Sequence, residues 1–172
     1  MKEIIIAKKS AGSKESFPSE WVPHPDGGEY LIAGLYKPSF QYVQETYQAQ
    51  ERAIRNSGAL ITDEFVEESN RKFSAIVGKY LVLDWKEIPS KLEYSPDNAA
   101  DLMAFGATED DPEYGIRLST WVLNQAQRIQ IAADKEKLDV VGKSSASTSG
   151  QSSAQKKKRA TTAKSKAQSQ KL

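Results

Sequence analysis

The stretch that most limits what this chain can become is residues 73–131, FSAIVGKYLVLDWKEIPSKLEYSPDNAADLMAFGATEDDPEYGIRLSTWVLNQAQRIQI. Two of the three tryptophans and most of the large apolar residues of the second half lie in it. It divides into an apolar run ending at Val82-Leu83-Asp84-Trp85, a helix start at Ser95-Pro96-Asp97-Asn98, and a longer amphipathic segment around Trp121. Spacing and composition of this kind specify a packed core and helix faces. They do not specify a reaction centre, so binding is the more natural work for the chain.

On either side of that stretch the sequence changes character. Residues 2–8 centre on Ile4-Ile5-Ile6, a β-branched run that favours a strand. Glu20-Trp21-Val22 and a second apolar run over residues 30–36 flank Pro23-His24-Pro25-Asp26-Gly27-Gly28, which predicts a β-hairpin with a loop longer than two residues. Pro38 is expected to end the second strand, and Ser39 to open the next element. Over residues 40–56, Phe40, Val43, Tyr47 and Ile54 recur at helical spacing, with Asn56-Ser57-Gly58 as the stop and Gly58 as the cap. Thr62-Asp63-Glu64-Phe65 supplies a capping hydroxyl and first-turn acids for a second helix. Its buried face is expected to be Phe65, Val66, Ser69, Phe73, Ile76, Val77 and Tyr80, with Gly78 weakening its end. Residues 81–85 read either as a last helical turn or as a short strand. Pro89-Ser90 marks a bend.

Ser95-Pro96-Asp97 combines a cap, an N1 proline and a first-turn acid, which predicts a short helix over residues 99–105 that stops at Gly106. Asp111-Pro112-Glu113 repeats the signal for a last helix running to about residue 137. Its apolar stripe is Ile116, Trp121, Val122, Gln125, Ile129 and Ala132/Ala133, broadened by Leu118 and Leu123. After Val141 the chain is Ser, Ala, Thr, Gln, Lys and Gly, with no large apolar residue until Leu172. Such a segment buries too little surface to offset its ordering entropy. The expected class is α+β: an N-terminal β-hairpin or small antiparallel sheet, then a mostly α-helical bundle of about four helices, then a disordered C-terminal tail. The expected divisions are residues 1–38, 39–141 and 142–172.

Charge follows the same division. The chain has 24 basic and 23 acidic residues, but residues 142–172 hold 8 of the basic ones and none of the acids, so residues 1–141 carry a net charge of −7. Lys156, Lys157, Lys158 and Arg159 are candidates for electrostatic contact with phosphates or acidic proteins. No aromatic residues interleave with them for base stacking, which makes nucleic acid the secondary reading. The chain has no cysteine, which excludes a disulfide framework and thiolate metal sites. No apolar run is long enough for a signal-peptide core or a membrane span, so a soluble cytoplasmic protein is expected. His24 is the one imidazole, and between prolines in a turn it is expected to be an exposed loop residue without catalytic work. Asp63-Glu64, Glu67-Glu68 and Glu109-Asp110-Asp111 fit helix starts and polar faces better than acid–base or metal chemistry. No glycine-rich phosphate cradle occurs. No cofactor is expected.

The order Val82-Leu83-Asp84-Trp85, then Leu92-Glu93-Tyr94-Ser95-Pro96-Asp97-Asn98-Ala99-Ala100-Asp101-Leu102-Met103, then an acidic proline-containing break and Ile116…Trp121-Val122, resembles the tail assembly chaperones of long-tailed bacteriophages. That family often has an apolar-x-Asp-Trp segment, a turn, a Leu-x-Tyr-Ser/Thr helix start and a closing helix of aromatic and apolar residues. Pro89-Ser90-Lys91 stands where the family usually has an Asp-Gly turn. The resemblance assigns Trp85, Tyr94, Ser95, Asn98, Leu102 and Trp121 to core and capping. It implies no enzymatic activity. It implies transient binding to the tape-measure protein while tail-tube protein polymerises around it, in the host cytoplasm, with the chaperone absent from the mature virion. A second copy of the chain is a further partner the family suggests, and a membrane is not. The residues expected to meet the client are Phe40, Val43, Tyr47 and Ile54, with Leu118 and Leu123. The alternative function is a small nucleic-acid-associated regulator acting through its basic tail.

Overall fold

The computed structural model describes residues 16–145, with side chains described through residue 140. Its elements in chain order are β1 (Ser19–Pro23), β2 (Glu29–Ala33), α1 (Pro38–Asn56), α2 (Asp63–Leu81), β3 (Val82–Lys86), α3 (Pro96–Phe105) and α4 (Tyr114–Ser145). The expected α+β architecture is present, a three-stranded antiparallel sheet with four helices. The strand expected over residues 2–8, the cluster Lys156–Arg159 and most of the expected tail lie outside the described residues.

The hairpin forms where the glycines allow it. Gly27 and Gly28 take φ of 106° and 80°, a region that costs an L side chain strain, and the loop closes with His24 N–H on the Gly28 carbonyl and Gly27 N–H on that of His24. The second strand ends at Ala33, earlier than expected. Beyond it the backbone turns toward α4: Leu35 N–H donates to the Ala126 carbonyl and Tyr36 N–H to Gln130 Oε1. Pro38 therefore starts α1 and does not stop a strand, since its missing N–H costs nothing at a first helical position.

The third strand resolves the ambiguity at residues 81–85. Leu81 is the last residue of α2, and Val82 begins β3 at once, with φ −83° and ψ 126°. The β3 strand lies antiparallel to β2, pairing Trp85 with Tyr30 and Val82 with Ile32 across a register shift between Leu31 and Ile32. Val22, Tyr30, Ile32, Val82 and Trp85 form the buried side of the sheet, continuous with Phe40, Val77, Leu81, Ala99, Met103, Leu118 and Val122 from the helices. Burying these side chains drives assembly, at roughly 25 cal/mol per Å² of apolar surface.

The helix caps expected from sequence are in place. Thr62 Oγ1 accepts from Phe65 N–H, and Ser95 Oγ from Asn98 N–H at 3.0 Å. Gly106 follows α3 as its C-cap, and Gly58 follows Ser57 at the end of α1 with φ 76°. Asp111 accepts from Glu113 N–H and pairs with Arg117, fixing the entry to α4. Gly78 lies inside α2, which runs on to Leu81. It is buried at the crossing with α3, where a Cβ would lie 2.2 Å from the Ala99 carbonyl oxygen. Val66 is exposed, not part of the buried face of α2. The buried stripe of α4 is centred on Leu118, Ser119, Val122, Ala126, Ile129 and Gln130; Ile116, Trp121 and Gln125 flank it and Ala132 is exposed. The helix also passes residue 137 and reaches Ser145, since Gly142 alone costs only about 1 kcal/mol in a helix.

Candidate partner-binding surface

The α1–α2 hairpin is joined to the body mainly at its base. Phe40 is fully buried there, and Tyr47 is the last side chain of α1 with a firm hold on α2. The Tyr47 hydroxyl donates to the Ser69 carbonyl at 2.8 Å and lies 2.5 Å from Ser69 Oγ, while its ring packs 5.8 Å from that of Phe73. Burial raises the Tyr47 pKa, against the lowering effect of the Ser69 hydrogen bond. Past Tyr47 the helix is dominated by Gln, Glu and Arg, so little apolar surface holds the two helices together. The connecting turn then presents Leu60, 87% exposed, and Ile61, 42% exposed, with Ile54 and Val66 exposed beside them. Large exposed apolar residues grouped in this way, and rimmed by charge, are the usual mark of an interaction surface.

On the other side of α2, a groove of about 360 Å³ runs between that helix and the end of α3. Its floor is Ala75, Ala104 and Phe105, the last 67% exposed, and its rim is Glu64, Glu67, Glu68, Arg71 and Lys72. The Arg71 guanidinium stands 5.9 Å from the Phe105 ring centroid. Lys72 and Glu68 pair at 2.7 Å, which raises the Lys72 pKa and lowers that of Glu68, each mainly through their shared hydrogen bond. Apolar floor and charged walls suit a segment that is amphipathic itself.

A second concavity also lies near the C-terminal end of α3, beside Leu102 and Gly106. His24, Tyr30, Tyr114 and Trp121 form a connected aromatic cluster, with His24 and Trp121 rings 4.6 Å apart and near perpendicular. His24 is therefore not the exposed loop residue expected: its side chain is only 8% exposed. The prolines that flank it set the turn, and the turn folds the imidazole inward. Its Nδ1 accepts from Asp26 N–H at 3.1 Å, which requires the neutral ring. Burial lowers its pKa, and the Asp26 carboxylate offsets this only partly. Beside the cluster is a cavity of about 560 Å³, bounded by Asp26, the Ile88-Pro89-Ser90 connection, Leu102, Asp110 and Tyr114. Among the described residues no three His, Asp or Glu side chains group as metal ligands, and no helix is long and apolar enough to cross a membrane.

The family model of the YdaY prophage protein matches residues 35–143, from the start of α1 to near the end of α4. The chain belongs to the YdaY prophage protein family. No curated protein and no solved structure matches it. Family membership establishes a bacteriophage association. The match takes in the whole of residues 73–131 and the hairpin tip, and leaves β1 and β2 outside.

In this YdaY-family fold the residues expected to meet a client separate into two groups. Phe40 and Leu118 are fully buried in the core and are not available to a partner, because the base of α1 and the first turns of α4 are packed into the core. Val43, Tyr47 and Leu123 are half-buried, and Ile54 alone is exposed. Sequence reasoning missed Leu60, Ile61 and Phe105, although two adjacent large aliphatics in a turn and a phenylalanine beside a helix-ending glycine were visible signals. Trp85 Nε1–H donates to the Leu92 carbonyl at 3.0 Å, Tyr94 hydroxyl to that of Val82, and Asn98 Nδ2–H to that of Glu93. Leu102 and Trp121 are half-buried against the core.

Proposed function

We propose that this YdaY-family protein is a tail assembly chaperone. It holds the tape-measure protein and helps recruit tail-tube subunits during tail morphogenesis in the host cytoplasm, and it is absent from the mature virion. It is a binding protein and not an enzyme. The observation that carries this reading is the apolar tip of the α1–α2 hairpin, Leu60 and Ile61 with Ile54 and Val66, together with the Phe105 groove and its charged rim. A holdase needs apolar surface that a long helical client can occupy and later leave, and a modest interface of this kind releases readily. The phage association of the family and the resemblance of residues 73–131 to tail assembly chaperones agree with it.

Co-expression of the full chain with the tape-measure and tail-tube proteins of the same prophage tests the proposal. The expected result is a soluble tape-measure complex that loses this chain once tube subunits are added. A tape-measure protein that stays insoluble, or is equally soluble without the chain, refutes it. Retention of the chain on RNA or DNA, lost steeply with salt and on removal of residues 146–172, would transfer the assignment to the nucleic-acid reading.

A further inference from the structure

The cavity beside the aromatic cluster has a chemistry of its own. Its volume of about 560 Å³ falls within the roughly 300–1,000 Å³ of ordinary ligand sites. Three carboxylates line it, Asp26, Asp110 and Asp111, and one cation, Arg117. Arg117 is paired with Asp111, so two carboxylates remain in excess. Tyr30 and Tyr114 supply two phenols. Tyr30 is 1% exposed, and the Tyr114 oxygen is sealed from solvent. The Tyr114 hydroxyl has no hydrogen-bond partner among the described residues. A buried hydroxyl without a partner leaves hydrogen-bonding capacity unused, which is costly. Ile88 and Leu102 add apolar wall.

We propose that this cavity receives the ammonium or guanidinium head of a lysine or arginine side chain carried by a partner polypeptide. The methylene stem lies along Ile88 and Leu102. The head lies between the exposed carboxylates of Asp26 and Asp110, and a small shift of the Tyr114 ring lets its unpartnered hydroxyl oxygen accept from it. An anion would face the excess carboxylates, and an uncharged chain would leave them unanswered. The acidic body, with its net charge of −7 over residues 1–141, attracts the same kind of partner over longer range. The inference rests on the proposed partner-binding function and specifies one contact within it.

The test is an amide NMR titration of the full chain with Nα-acetyl-lysine N-methylamide, with the norleucine analogue as the uncharged control. Saturable shifts confined to the amides of Gly27, Ile88, Ala107 and Tyr114, given by the lysine probe only, support the proposal. Asp26 and Asp110 are exposed at the rim, so the double variant D26N/D110N keeps the fold. It should weaken the probe by about fivefold or more, as expected for the loss of two partly exposed charge contacts. Shifts scattered over the acidic surface, or an unchanged affinity in D26N/D110N, overturn it. A lysine-bearing amphipathic peptide should bind more tightly than spermidine; the reverse order overturns the polypeptide as source of the cation. Client binding that leaves these amides unmoved removes this inference while keeping the chaperone reading. Lysine-probe binding without any tape-measure binding does the opposite.

Discussion

Gly78→Ala separates two accounts of the same glycine. Judged on helix propensity alone, the substitution stabilises, because alanine gains about 1 kcal/mol over glycine inside a helix. The packing of α2 against α3 predicts the reverse. A Cβ at residue 78 would stand 2.2 Å from the Ala99 carbonyl oxygen and 2.7 Å from its carbonyl carbon. Both are backbone atoms, so no rotamer change relieves the contact, and α3 has to move. Overpacking of this kind costs about 1–3 kcal/mol, and backbone contact belongs at the upper end. Subtracting the propensity gain leaves a net loss of about 2 kcal/mol, or a melting temperature lower by about 8 °C for a domain of this size. The displacement would be felt at Met103 and Ala99, both fully buried behind the crossing. Thermal unfolding followed by circular dichroism, with urea titration to check that the transition stays two-state, measures it. A G78A protein as stable as the parent, or more stable, refutes the close-packed crossing.

Two further outcomes come from local chemistry. Ser95→Ala removes the hydroxyl that accepts from Asn98 N–H and should cost about 1 kcal/mol in urea unfolding, with Ser95→Asp retaining most of the stability. His24 has its folded pKa lowered from 6.5 by burial, so the unfolded chain takes up a proton first as pH falls. Its contribution is therefore complete above about pH 6.5 and is lost on acidification through the window down to the depressed value. His24→Phe, which keeps a ring against Trp121, should flatten that part of the stability profile; an unchanged slope would place the titration elsewhere.

Local signals written in a few neighbouring residues were readable from the chain. Ser95-Pro96-Asp97 and Thr62-Asp63-Glu64 mark helix starts through hydrogen bonds to their own backbone, and Asp26-Gly27-Gly28 marks the hairpin through its positive φ values. Features that depend on distant partners were not readable. Nothing near Gly78 announces that the backbone at Ala99 will lie against it. His24 looks exposed until Tyr114 and Trp121, about a hundred residues away, are folded over it. The stripe of α4 is legible at Leu118, Val122 and Ile129, but its buried positions also include Ser119 and Gln130, which apolar spacing passes over and whose polar groups are answered across the fold by Ser74 and by Tyr36 N–H. The candidate surface suffered from the same limit in reverse. Phe40 and Leu118 look like binding residues on a helical wheel, yet the core needs them, and the side chains left outside are in the turn that no wheel includes.

The central claim, that the hairpin tip is the client surface, is tested most directly by the affinity of the full chain for its tape-measure client with Leu60 and Ile61 both replaced by serine. Neither residue belongs to the buried core, so the melting temperature should stay within about 2 °C of the parent, as for ordinary surface substitutions. Loss of two central apolar contacts should weaken binding by about tenfold or more. An L60S/I61S protein that is folded and binds its client as tightly as the parent would contradict the account.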